Sequence, residues 1–92
     1  IELVFCTKKE ITKEKINKAF TIASKKQSKR ILEITTEKLV SIDFNHNSAS
    51  AIIDSSLTNV VGKNMGKITA WYDNEWGFSN RMCDIVEYLY KI

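Results

Sequence analysis

Two strand-like segments that flank a turn-forming segment constrain the fold of this 92-residue chain more than any other feature. The segments run from Leu57 to Val61 and from Lys67 to Tyr72, and residues 62–66 between them have the sequence GKNMG. Glycine and asparagine tolerate the backbone conformations that tight turns require. The pattern therefore predicts a β-hairpin.

Two helices are predicted from apolar residues at helical spacing. The first helix, over about residues 12–26, has Thr12 as its N-cap and an apolar stripe of Ile16, Ala19, Phe20 and Ala23. The second, over about residues 75–91, is capped by Asp73 or Asn74 and has a stripe of Met82, Ile85, Val86 and Leu89.

Three further short segments favour extended structure. Glu2 to Thr7 carries apolar residues on both faces, which predicts a buried strand. Ala51 to Ile53 predicts another strand, and Leu39, Val40 and Ile42 predict a short extended piece. The resulting order, β-α-β-β-β-α, indicates an α+β fold with a mainly antiparallel sheet and two helices.

Composition and charge exclude several classes of protein. Hydrophobic residues make up 43% of the chain and charged residues 27%, as in ordinary globular domains. No apolar run reaches the length of a membrane helix. The net charge of +3 is concentrated in Lys25, Lys26, Lys29 and Arg30. Because no aromatic residues are interleaved with this cluster, a solvated helix end is favoured over nucleic-acid binding.

The cysteines and the single histidine do not form a metal-binding motif. Cys6 and Cys83 are far apart in sequence, and His46 alone leaves too few ligands for zinc. We expect both cysteines to be reduced and buried, and His46 to be a loop residue. The first residue is Ile1 rather than Met, which is expected of a fragment or a processed chain.

The segment from Trp71 to Arg81 is the candidate site, because aromatic and polar residues are concentrated where a strand gives way to a helix. A helix N-terminus exposes backbone N–H groups, and polar side chains there can hold a ligand. A capped helix start flanked by packing tryptophans explains the same residues without a ligand. Both interpretations stay open on the residues alone.

The sequence of this segment, WYDNEWGFSNR, resembles the WYDNEWGYSNR signature of glyceraldehyde-3-phosphate dehydrogenases. Residues 39–46, LVSIDFNH, resemble the LVSxDF segment of that family, and an Ile-Ile-Asp run follows at 52–54 as it does there. Residues 11–20, ITKEKINKAF, resemble its VTxEEINxAF helix. The resemblance extends from Glu2 to Leu89 and favours the bacterial branch.

The resemblance implies that residues 1–92 are the C-terminal portion of the catalytic domain of a two-domain, NAD-dependent phosphorylating dehydrogenase. The complete enzyme would be a cytoplasmic homotetramer without metal that converts glyceraldehyde 3-phosphate and phosphate to 1,3-bisphosphoglycerate. The family's SCTTN motif, its catalytic histidine and its GxGxxG turn do not occur in this sequence. The nucleotide-binding domain is therefore expected to be absent, and the chain alone to be inactive.

The resemblance also assigns cofactor contacts. It matches Asn74 to the asparagine that hydrogen-bonds the nicotinamide carboxamide, and it gives Tyr72 and Glu75 supporting positions near the same pocket. Phe78 replaces a tyrosine that many members have, so a hydroxyl is lost there. Trp71 and Trp76 are expected to be packing residues.

Two alternatives remain open beside this interpretation. Erythrose-4-phosphate dehydrogenase shares the DFNH and DNEWG patterns, although Tyr72 favours the glyceraldehyde-3-phosphate enzyme. A non-catalytic binding or assembly module is the alternative from another class. In the resembled family, one face of the sheet lies at a subunit interface and the last helix packs on the nucleotide-binding domain.

Overall fold

The computed structural model describes residues 1–27 and 29–92. Its elements are β1 (Glu2–Cys6), α1 (Lys13–Lys26), β2 (Leu32–Thr35), β3 (Ala51–Asp54), β4 (Asn59–Val61), β5 (Met65–Trp71) and α2 (Asn74–Lys91). Two short 3-10 helices, Ser41–Phe44 and Ser55–Leu57, lie before and after β3. The α+β class and both predicted helices are confirmed.

The sheet is mainly antiparallel, as predicted, but it is not purely so, because one pair of strands is parallel. The strand order is β1-β5-β3-β2, and β4 also pairs with β5. β5 is antiparallel to its three partners, but β2 and β3 are parallel. The sequence-based element order did not include β2 at all. Residues 36–50 carry the chain back along the sheet, and this return allows two consecutive strands to run in the same direction.

The predicted hairpin is present as β4 and β5, with Val61 opposite Met65. Gly62 lies in the turn with a φ of +62°, a conformation that an L-residue adopts only at a cost in energy. The predicted strand from Leu57 was too long, because Ser55–Leu57 is a 3-10 helix. The extended piece predicted around Leu39–Ile42 was also wrong, since Ser41–Phe44 forms the other 3-10 helix.

α1 covers one face of the sheet. Thr12 caps it as predicted, since its side-chain oxygen accepts a hydrogen bond from the Lys15 backbone N–H at 3.2 Å. Ile16 is the buried residue of the helix, and it packs with Ile53, Ile68 and Ala70. This cluster is the larger of two hydrophobic cores.

β1 is exposed, whereas the sequence had predicted a buried strand. Leu3 is 54% and Val4 is 59% accessible to solvent. The reason is topological, because β1 is an edge strand, and within the described part of the chain β5 is its one partner. Of its residues, Phe5 is the one that reaches the core formed under α1.

The second core lies on the opposite face and supports the end of β5. Phe44, Ala49 and Ile52 are buried there, and Trp71 packs against them. The rings of Phe44 and Trp71 are stacked, with 5.2 Å between centroids and 8° between planes. This stack confirms the predicted packing role of Trp71 and anchors the strand just before the candidate site.

α2 leaves most of its surface exposed, including the predicted apolar stripe of Met82, Ile85, Val86 and Leu89. Both cysteines are free as predicted, but they are exposed rather than buried. Cys6 lies on the edge strand and Cys83 on this uncovered helix, which explains their exposure. Within the described residues, neither helix is long and apolar enough to cross a membrane.

Candidate functional site

The candidate site lies at the junction of β5 and α2. Asp73 is the N-cap of α2, and its Oδ1 accepts a hydrogen bond from the Trp76 backbone N–H at 3.0 Å. Asn74, the first helical residue, is exposed. Among the described residues, the side-chain amide of Asn74 makes no hydrogen bond, so it is available to a ligand. Of the two caps that the sequence allowed, the structure uses Asp73.

Asp73 also connects the junction to a distant turn. Its Oδ2 accepts a hydrogen bond from the His46 backbone N–H at 2.9 Å. The pKa of Asp73 is lowered, first by the bond from His46 and then by the bond from Trp76. The His46 ring contacts the Trp76 ring at 5.0 Å between centroids, with the two planes tilted by 38°. His46 is a turn residue, as predicted, but it contacts the site.

The buried carboxylate of Asp54, at the end of β3, supports the junction through its bond with Trp71. Asp54 is 3% exposed and accepts hydrogen bonds from Trp71 Nε1 at 3.1 Å and from the Ser56 hydroxyl at 2.6 Å. Burial by itself would raise the pKa of Asp54, but the bonds from Ser56 and Trp71 outweigh that effect, and the pKa is lowered. Asp54 is therefore ionised at neutral pH and fixes the indole of Trp71.

The first turns of α2 lie against the loop before β3. A Cβ atom at Gly77 would lie 3.0 Å from the Ala49 carbonyl oxygen, so a larger residue would push the helix away. Arg81 extends this contact, since its Nη1 donates to the Ser50 hydroxyl at 2.9 Å and its Nε donates to Asp84 at 2.9 Å. These contacts fix the N-terminal half of α2, where Asn74 lies.

Three open surface depressions, of about 350, 410 and 200 Å³, adjoin Asn74. Phe44 and Asn45 form one wall of the first, and Tyr72, Asn74 and Glu75 form another. Phe78 lines the other two. The four residues matched to a cofactor site thus lie around one junction and are all exposed, with Tyr72 at 49% and Phe78 at 66%. Whether they contact a cofactor stays a prediction.

Two contributors to the junction were missed from the sequence. The double role of Asp73 and the support from Asp54 depend on contacts between residues 17 to 27 positions apart. Only the Ile-Ile-Asp run at 52–54 contained a signal, because an acidic residue directly after an apolar strand requires a hydrogen-bonding partner if it is buried. Trp76 was also predicted to be a packing residue, but it is 44% exposed and therefore less completely packed than Trp71.

The structure is thus an α+β unit that presents the exposed side-chain amide of Asn74 at a helix N-terminus. The sequence pattern described as glyceraldehyde 3-phosphate dehydrogenase, C-terminal domain, matches residues 1–74. The chain belongs to this family.

Individual relatives agree with the family match. The chain is 47% identical over 87 residues to glyceraldehyde-3-phosphate dehydrogenase 2 of Staphylococcus aureus, which covers 95% of this chain and 25% of the relative. It is 44% identical over 87 residues to the chloroplastic glyceraldehyde-3-phosphate dehydrogenase A of Nicotiana tabacum, covering 95% of this chain and 22% of the relative. The chain thus spans about a quarter of the length of these relatives.

Proposed function

We propose that residues 1–92 are the C-terminal portion of the catalytic domain of an NAD-dependent dehydrogenase that oxidises and phosphorylates glyceraldehyde 3-phosphate to 1,3-bisphosphoglycerate. Membership of the family supports the reaction class. The observation that carries the assignment of the site is the exposed, uncommitted side-chain amide of Asn74. Because Asp73 supplies the helix cap, Asn74 is free for another task.

Asn74 is suited to hold the nicotinamide carboxamide. A side-chain amide offers one acceptor and two donors, which complement the donor and acceptor of a carboxamide. Tyr72 and Glu75 line one of the open depressions beside Asn74, of about 350 Å³. When bound, the nicotinamide accepts the hydride. The task of Asn74 is to fix the ring so that one face meets the substrate.

The other roles in the reaction belong to residues outside this chain. The SCTTN motif that supplies the cysteine nucleophile in the resembled family does not occur here, and neither does the GxGxxG turn. Cys6 and Cys83 are exposed, and neither lies in such a motif. We therefore propose that the chain contributes cofactor orientation and is inactive by itself, since groups that act as a unit fail together.

The proposal includes a homotetrameric, cytoplasmic complete enzyme. The exposed apolar residues of β1, β5 and α2 are compatible with faces that are covered in such an assembly. The N. tabacum relative is named as chloroplastic, which is a statement about that protein. Among the described residues, no group of acidic, cysteine or histidine side chains is arranged to hold a metal ion.

The test is an assay of NADH formation by the complete polypeptide that contains this segment, with glyceraldehyde 3-phosphate and inorganic phosphate. We expect phosphate-dependent turnover that exceeds turnover of erythrose 4-phosphate under the same conditions. Preference for erythrose 4-phosphate would favour the alternative dehydrogenase. Salt-sensitive binding to generic DNA without NAD-dependent turnover would contradict the proposal and favour a binding module.

A further inference from the structure

The carboxylate of Asp73 does more than a helix cap requires. A cap needs a single acceptor for one N–H near the start of the helix, and Asn or Ser provides it about as well as Asp. Asp73 uses its second oxygen for the backbone N–H of His46, 27 residues earlier in the chain, at 2.9 Å. One side chain therefore joins two segments, the first turn of α2 and the turn at residues 44–47.

The turn at 44–47 forms a wall of the depression that adjoins Asn74. Phe44 and Asn45 line this depression together with Tyr72 and Asn74. Phe44 is anchored by its stack on Trp71, and Asn47 donates its backbone N–H to the Phe44 carbonyl at 3.1 Å. The position of the turn relative to α2 is set by the bond between His46 and Asp73 and by the contact of the His46 ring with Trp76.

We propose that Asp73 is a positioning residue for the nicotinamide site: by joining the 44–47 turn to the first turn of α2, it holds the amide of Asn74 in a fixed position relative to that turn. The inference rests on the proposed function of Asn74. It adds to that function by assigning part of the orientation of the nicotinamide ring to a carboxylate that does not itself contact the cofactor. The lowered pKa of Asp73 agrees with a carboxylate held ionised by two backbone donors.

Substitution by asparagine separates the two tasks of Asp73. In Asp73→Asn, the amide oxygen can still accept from Trp76, so the cap is kept. The amide nitrogen then faces the N–H of His46, and two donors cannot form a hydrogen bond. Asp73→Ser makes the same separation, because a hydroxyl at this position provides a cap and leaves His46 without its partner. Either variant loses the connection and keeps the helix start.

A matched control exists in the same region. Asp43→Asn changes an acidic residue that caps a 3-10 helix through a bond from the Val40 N–H, and an amide oxygen can replace that acceptor. This control should retain the connection between His46 and Asp73.

The test is the stereochemistry of hydride transfer in the complete dehydrogenase, with substrate deuterated at the aldehyde carbon. Proton NMR of the NADH shows which face of the ring received the deuterium. In Asp73→Asn and Asp73→Ser we expect label on both faces and a fall in kcat of about 10-fold or more, with the KM for NAD changed by less than about 3-fold. The Asp43→Asn control should keep the single face and the kcat of the wild type.

The outcomes distinguish this inference from the proposed function. If Asn74→Asp loses hydride transfer while Asp73→Asn keeps wild-type kcat and a single labelled face, only the positioning role is overturned. If Asn74→Asp behaves as wild type, the nicotinamide site is wrong and the inference fails with it. Hydrogen exchange in the wild-type enzyme needs no variant: the His46 amide should be protected, and exchange at the rate of an open turn would refute the connection.

Discussion

Removing the hydrogen bond between Trp71 and Asp54 is the most informative perturbation of stability, because this bond supports the strand that ends at the site. Trp71→Phe keeps an aromatic ring that can stack on Phe44, but it deletes the indole N–H that donates a hydrogen bond to Asp54 at 3.1 Å. Asp54 is 3% exposed, so water cannot readily replace the lost donor. The variant therefore leaves a buried carboxylate with one partner fewer.

The expected loss follows from that geometry. A hydrogen bond to a charged group contributes about 1.5–3 kcal/mol, and the smaller ring also buries less apolar surface. We expect the free energy of unfolding to fall by about 2–3 kcal/mol. A chain of this size has a total stability of roughly 5–14 kcal/mol, so the change is readily measured. With a urea m-value of about 1–2 kcal/mol per molar, the midpoint should fall by about 1–3 M.

The assay is urea unfolding followed by far-UV circular dichroism at pH 7 and at pH 3. The folded-state pKa of Asp54 is lowered, so stabilisation by its ionised form is present above the ordinary aspartate pKa and is lost as the pH falls through the folded value. Loss of the Trp71 donor raises that folded pKa. The difference between wild type and Trp71→Phe should therefore be smaller at pH 3 than at pH 7.

Phe44→Leu is the control, because it removes the aromatic stack and leaves the bond from Trp71 to Asp54 in place. Its loss of stability should be the same at both pH values. A change of less than about 0.5 kcal/mol in Trp71→Phe, or an equal change at pH 3 and pH 7, would refute the role given to the buried carboxylate.

Three further outcomes are expected. Gly62→Ala should lower the free energy of unfolding in urea by about 1–2 kcal/mol, because the φ of +62° is unfavourable for alanine. Gly62→Asn should cost less, since asparagine tolerates this conformation better. Equal losses in the two variants would contradict the role given to the backbone conformation. Lys29 and Lys91 lower the pKa of Glu87 from 4.5 to about 2, so Glu87→Gln should reduce the free energy of unfolding at pH 7. This deficit should disappear as the pH falls from about 4.5 to 2, and it should weaken in high salt. A deficit that persists at pH 2 would count against these ion pairs. The isolated chain should associate, because β1 and α2 expose apolar residues, and a sharp monomer peak in size-exclusion chromatography would disprove this.

The parts of the fold that depend on local sequence were predictable. The turn at Gly62 and the cap at Thr12 are set by residues close together in the chain, and the structure has both. The predicted stripe of α1 is only partly correct, because Ile16 and Phe20 pack in the core whereas Ala19 and Ala23 are exposed. β2 was missed although Leu32 to Thr35 alternate between apolar and polar residues, because an alternation over only four residues is a weak strand signal. The exposure of β1 depends on which strand is central, and periodicity does not determine that order.

The candidate site was predictable as a location but not as a mechanism of support. Residues 71–81 were identified because their chemistry is concentrated in one segment that resembles a known signature. The contributions of Asp54 and His46 arise from tertiary contacts, in which a carboxylate finds its donor 17 or 27 residues away. No local pattern specifies such partners, because loop lengths and sheet register decide which residues meet.

The central claim is that Asn74 holds the nicotinamide carboxamide, and a single-turnover measurement of hydride transfer in the complete enzyme carrying Asn74→Asp tests it most directly. The side chain keeps its size, but a carboxylate cannot donate to the carboxamide oxygen. A lost bond in a dry site costs about 1–3 kcal/mol, so hydride transfer should slow by roughly 5- to 150-fold. The Asp73 cap remains in place in this variant. Hydride transfer at the wild-type rate would contradict the account.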